Sequence, residues 1–148
     1  MSSPVQTVRL TQVQDYRFDV DFGAGLPPLR ADEPAPLGAG EGPSPVQLLA
    51  AAVGNCLSAS LLFALRKFKQ DPGSIGCEVR AEVGRNAQGR MRVLALHATL
   101  TLGVAGDALA HLDRVLGGFE DYCTVTQSVA AGIAVSTAVF DVRGTQLK

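Results

Sequence analysis

The stretch Ser44-Pro45-Val46-Gln47-Leu48-Leu49-Ala50-Ala51-Ala52-Val53-Gly54-Asn55-Cys56 decides how this chain is read. Ser44 is a good N-cap, Pro45 suits the first helical position, and Gln47 can reach back as the third-position partner. The apolar run continues to about Leu65 and ends in Arg66, Lys67 and Lys69, which suit the negative end of a helix. The pattern predicts a helix of roughly 33 Å at 1.5 Å per residue. It is apolar nearly all round, so burial on most sides is expected. A membrane span has the same length. Gln47, Asn55, Ser58 and Ser60 interrupt the run, and no second span exists. A central helix of a globular domain fits better, and no membrane partner is expected.

The flanking sequence reads mostly as strands. Tyr16-Arg17-Phe18-Asp19-Val20-Asp21-Phe22 alternates apolar and polar residues. Strands are therefore predicted over 5–13 and 16–22, close enough to pair as a hairpin. Residues 23–42, rich in Gly and Pro, read as a long loop. After the helix, 75–84 and 90–102 read as strands joined by the turn Asn86-Ala87-Gln88-Gly89. In the second strand Leu94, Leu96, Ala98, Leu100 and Leu102 share one face, and Val93, Ala95, His97, Thr99 and Thr101 the other. Helices are expected over 108–116 and 124–131, and a last strand over 133–142. No regular strand–helix–strand alternation appears, so the sheet is expected to be mainly antiparallel and the class α+β. At 148 residues, with no dividing linker, residues 1–148 read as one domain.

Composition removes several functions. Apolar residues make up 47% and charged residues 18%, which argues against disorder. The net charge is −1 with no basic cluster, so no nucleic-acid partner is expected. Three cysteines are too few, and odd, for a disulfide-stapled secreted scaffold. The N-terminal residues lack a signal-peptide pattern, and a reducing cytoplasm is the expected compartment. Metal binding has little support, since there is no Cys-x-x-Cys and His97 and His111 are isolated. Gly38-Ala39-Gly40-Glu41-Gly42 has no following Lys-Ser or Lys-Thr and reads as a connector, not a phosphate cradle. No metal or organic cofactor is expected.

The cysteines carry what chemistry there is. Cys123 stands before Thr124-Val125-Thr126-Gln127. With Thr124 as N-cap and Gln127 closing a capping box, the helix dipole would favour its thiolate. A small residue packed under a turn is an equal reading. Cys56 lies deeper in its helix among Leu49, Ala52, Val53, Ala59, Ser60 and Phe63, surroundings that suit a structural cysteine. Cys77 falls on a strand in phase with Val79, Ala81 and Val83 and is expected in the core. His97 reads as sheet-packed or solvated, His111 as a surface residue of a short helix. Neither has a sequence link to a nucleophilic serine.

With these residues in place, the chain resembles the OsmC/Ohr family of osmotically inducible and organic hydroperoxide resistance proteins. Two motifs carry the resemblance: the run from Gly42 to Cys56, and Tyr122-Cys123-Thr124-Val125-Thr126-Gln127-Ser128-Val129. It implies intertwined homodimers with two mainly antiparallel sheets around long central helices. It also implies a thiol peroxidase acting on organic or fatty-acid hydroperoxides in oxidative-stress defence. Cys56 would attack and become a sulfenic acid. Cys123 would resolve it as a disulfide, and a dithiol of the lipoyl type would restore both thiols. The chain departs from the specialised peroxidases at one position. They carry a glutamate directly after the helix-opening proline, where it positions an activating arginine, and here that position is Val46. Glu41 is the candidate substitute, and Arg17 and Arg30 are the candidate cations. The sequence thus resembles the broad OsmC-like branch more closely. The alternative is a dimer that binds a small apolar or thiol ligand at its interface with little or no turnover. A third reading makes the cysteines mere core residues.

Overall fold

A computed structural model describes residues 2–148. The chain divides into two compact units, Met1–Leu48 and Leu49–Lys148.

The first unit is a three-stranded antiparallel sheet. Strands β1 (Arg9–Gln14), β2 (Arg17–Asp21) and β3 (Leu29–Ala31) lie in that order, with Leu10 opposite Val20 and Phe18 opposite Ala31. The expected hairpin is present and more compact than predicted, β1 starting at Arg9 and not at residue 5. The expected long loop is not structureless. It contains β3, and beyond it a loop organised by one carboxylate. Asp32 is buried and accepts backbone N–H groups from Glu33 at 2.8 Å, Ala39 at 3.2 Å and Glu41 at 3.1 Å. Burial opposes ionisation of Asp32. The N–H groups of Glu41, Glu33 and Ala39, with the charge of Arg17, outweigh it and hold the carboxyl below its usual range. Gly38 must be glycine here, because a Cβ would stand 2.2 Å from the Glu33 carbonyl oxygen.

Helix α1 (Pro45–Lys67) starts as the sequence predicts. The Gln47 N–H donates to Ser44 Oγ at 3.2 Å, and the Ser44 N–H donates to Gln47 Oε1 at 2.9 Å, a complete capping box. Its length and hydropathy would allow a membrane crossing. It spends that apolar surface instead on a core, burying Val53, Leu57, Leu61, Ala64 and Leu65. Burial on most sides does not occur in the single chain. Ala51, Ala52, Asn55, Ala59 and Phe63 form an open face.

The second unit builds its sheet in the order β4 (Gly76–Arg85), β5 (Met91–Thr101), β6 (Ala134–Phe140). β4 and β5 are antiparallel, but β6 runs parallel to β5, pairing Leu96 with Val135 and Leu100 with Val139. The segment between β5 and β6 is long enough for the crossover that parallel strands need. It carries α2 (Leu112–Gly118), a 3₁₀ turn over Phe119–Tyr122 and α3 (Thr124–Ala130). The helix expected over 108–116 divides. A 3₁₀ turn covers Gly106–Ala108, and His111, left-handed at φ 59°, starts α2.

Leu96, Ala98, Leu100 and Leu102 are buried as their shared face predicts, against Leu57, Leu61, Leu65 and Phe119. Burying a side chain such as Phe119 completely contributes about 1.5–3 kcal/mol. Leu94 breaks the pattern. The register slips so that Glu82 faces Ala95 while Val83 faces Val93, leaving Leu94 as the extra residue. Past this bulge the faces exchange: Val93 packs on the core and Leu94 is exposed.

Candidate functional site

Two elements of the second unit bring the sequence-separated cysteines together. α1 carries Cys56 half-buried, one turn after the buried Val53 and directly before the buried Leu57. Cys123 closes the 3₁₀ turn after Tyr122 and is itself the N-cap of α3, with φ −83° and ψ 94°. Its N–H donates to the Glu120 carbonyl at 3.0 Å, and its carbonyl accepts the Gln127 N–H at 2.9 Å. The expected capping box at Thr124 does not form. The Gln127 amide donates back to the Glu120 carbonyl at 3.1 Å instead. Cys123 is wholly buried and donates its thiol proton to Thr126 Oγ1 at 2.9 Å.

Cys56 lies close enough to Cys123 to act on its ionisation, and both thiols are free. Burial pushes the Cys123 thiol up, its contact with Cys56 pushes it further, and Thr126 offsets only part of this. The dipole argument from sequence is therefore overturned for Cys123, since desolvation outweighs a helix of seven residues. A charge on Cys56 disfavours a second on Cys123.

Cys77 is not in the core. As a residue it is exposed, on β4 at the edge of the sheet. Its sulfur turns toward α1, 3.3 Å from where a Cβ on Gly54 would stand. Burial of the sulfur raises this thiol, and a hydrogen bond with Ser58 partly offsets that.

The candidate ionic residues lie in the first unit. Arg17 pairs with Glu41 and also donates to Gln14 Oε1 at 2.8 Å. Glu41 thus holds an arginine although the position after the helix-opening proline is Val46. Arg30 is engaged elsewhere, with Asp19 at 3.1 Å. The same unit contains an apolar cavity of about 330 Å³ lined by Leu10, Tyr16, Phe18, Ala31, Pro45 and Leu48.

His97 is sheet-packed as expected, with partners the sequence did not indicate. Nε2 lies 2.9 Å from Glu82 Oε1 and Nδ1 2.7 Å from Ser136 Oγ, linking β4, β5 and β6. His111 is exposed and stacks on Phe68 with ring centroids 4.9 Å apart. Among the described residues no group of three or more His, Cys, Asp or Glu side chains is placed to hold a metal ion.

The sequence model of the OsmC-like protein family matches residues 38–138, from the Asp32-organised loop through Cys56 and Cys123 into β6. The chain belongs to the OsmC-like family. Solved structures share the fold of this OsmC-like chain. An OsmC-like protein of unknown function from Vibrio cholerae superposes with a TM-score of 0.79 at 16% identity, over 93% of this chain and 100% of the other. An organic hydroperoxide resistance protein, OsmC, from Legionella pneumophila gives 0.72 at 14% identity, over 93% and 98%. One from Elizabethkingia anophelis gives 0.69 at 19%, over 93% and 98%. No curated protein sequence matches the chain.

Proposed function

We propose that this OsmC-like protein is a thiol peroxidase that reduces organic hydroperoxides and serves in oxidative-stress defence. The observation that carries the reading is the contact between Cys56 and the buried Cys123. The Cys56 thiolate attacks the distal peroxide oxygen, the O–O bond breaks, and the substrate leaves as its alcohol after taking one proton. Cys56 is then a sulfenic acid. The Cys123 sulfur attacks it, a Cys56–Cys123 disulfide forms, and water leaves. A dithiol of the lipoyl class reduces the disulfide and is itself oxidised to the cyclic disulfide, which restores both thiols. Of the two candidate arginines, Arg17 is the one a glutamate holds. The Legionella and Elizabethkingia neighbours are organic hydroperoxide resistance proteins, which supports the assignment by analogy.

The test is consumption of cumene hydroperoxide by the reduced protein, with disulfide mapping afterwards. A Cys56–Cys123 bond is expected, Cys56→Ser should abolish consumption, and Cys123→Ser should leave a trappable sulfenic acid on Cys56. Peroxide left unconsumed with both thiols still reduced contradicts the proposal.

A further inference from the structure

Closing a disulfide needs Cys123 held in one place beside Cys56, yet little regular structure carries it. Between α2 and α3 the chain makes one 3₁₀ turn, Phe119–Tyr122. Within that turn the Glu120 carbonyl fixes Cys123. It accepts the Cys123 N–H at 3.0 Å and the Gln127 side-chain amide at 3.1 Å. One carbonyl thus sets both the N-cap residue and the first turn of α3.

What holds Glu120 comes from far along the chain. Lys148 Nζ lies 2.7 Å from Glu120 Oε1 and donates at 2.7 Å to the Leu116 carbonyl in the last turn of α2. It also stands 5.3 Å from the centroid of the Phe119 ring, which is wholly buried. One ammonium therefore grips the end of α2, the Glu120 side chain and the ring between them, at the helix end where a cation is favoured. The main chain of Lys148 is anchored in turn. The Val139 N–H donates to Lys148 O at 3.0 Å, and the Lys148 N–H donates to the Val139 carbonyl at 3.2 Å. Val139 is fully buried in β6 and pairs with Leu100 of β5. The strap runs from the sheet through Lys148 to the Glu120 turn and ends at Cys123. Its effect there is one of place: the charge acting on the Cys123 thiol is that of Cys56, with burial and Thr126 beside it.

We propose that Lys148 is a positioning residue for disulfide closure, keeping the Cys123 turn docked beside Cys56 by its grip on Glu120 and Leu116. The inference rests on the peroxidase reading and adds to it the device that sets the resolving step, separate from peroxide attack at Cys56. Holding two reacting groups in place raises the rate at which they combine. The side chains of Lys148 and Glu120 are 35% and 30% exposed, so the grip is of moderate strength.

The test uses the Cys77→Ser protein, whose remaining thiols are Cys56 and Cys123. In this background Lys148→Met keeps a long side chain against Phe119 and removes the ammonium. In the reduced protein the Cys123 amide should exchange with deuterium about fivefold faster in Lys148→Met, the upper range for a partly exposed ion pair, and Lys148→Arg should restore it. The Leu96 and Leu100 amides of β5 should keep their rates. An equal rise there assigns the effect to global stability and overturns the proposal, as does an unchanged Cys123 amide. After one turnover of cumene hydroperoxide, sulfenic acid should form on Cys56 at the unsubstituted rate, and the disulfide should close about fivefold more slowly in Lys148→Met. Glu120→Gln should also slow closure, and adding it to Lys148→Met should slow closure no further. The pH at half-maximal closure should stay in place, because position changes and charge at the sulfur does not. A shifted profile or equal closure rates overturn the proposal. If the unsubstituted protein consumes no peroxide, the peroxidase reading falls. Closure driven by the azo oxidant diamide, two thiols giving one disulfide while the azo group becomes a hydrazine, then decides the role of Lys148 by the same difference in rate.

Discussion

At the scale of the residue, burial reverses what local sequence suggests for Cys123. Cys123 reads as activated because a helix starts beside it, and Cys56 reads as structural because apolar neighbours surround it. Position in the chain was legible; burial was not, because it depends on which elements close over each sulfur. Cys123 is fully buried and its thiol is pushed up, so at neutral pH it waits as a protonated thiol donating to Thr126. Closing the disulfide requires that proton to leave. The closure rate after a single cumene hydroperoxide turnover should therefore rise with pH through the ordinary thiol pKa of about 8.5 and flatten only above it. Stopped-flow trapping of the remaining sulfenic acid across pH measures this. Thr126→Val removes the hydrogen bond that favours the thiolate and should move the profile further upward. A plateau below the ordinary thiol value contradicts the assignment.

At the scale of the element, the start of α1 was fully legible, because Ser44, Pro45 and Gln47 act on their own backbone. What depended on distant partners was not. β6 runs parallel to β5 because α2 and α3 carry the chain across, and Leu94 turns outward because the β4–β5 register slips beside it. The three N–H groups collected by Asp32 come from residues up to nine positions away, beyond any periodicity. Gly54 tests the packing of α1 on the sheet. In an open helix Gly→Ala would gain roughly 1 kcal/mol. Here the new Cβ would lie 2.8 Å from Val79 Cγ2 and 3.3 Å from Cys77 Sγ. Val79 is β-branched and stiff, so it cannot swing aside. Gly54→Ala should lower stability by about 1–2 kcal/mol despite its better propensity, read as a lower urea midpoint at unchanged m-value. A midpoint equal to or above wild type would show that the β4–α1 contact yields freely.

At the scale of the whole molecule, the decisive feature is where apolar surface stays open. Among the described residues fourteen large hydrophobic side chains are exposed, and eight of them lie within Met1–Leu48: Val5, Val8, Leu10, Val13, Tyr16, Phe22, Leu26 and Leu37. The buried hydrophobic side chains of that unit are Val20 and Ala31 alone among the described residues, too few for a three-stranded sheet to stand by itself. α1 adds the open face of Ala51, Ala52, Ala59 and Phe63. Apolar exposure on this scale within each unit marks an association surface. The family resemblance, which implies intertwined dimers, makes a second copy of this chain the expected occupant. Sedimentation velocity at micromolar concentration should give twice the chain mass. Leu10 is 60% exposed, so Leu10→Glu should shift the population toward monomer. Peroxide turnover that falls in step with the monomer fraction would mean that the thiol pair works only in the assembled dimer. A wild-type protein that stays monomeric would remove the dimer from the account and leave the open N-terminal surface to a different partner.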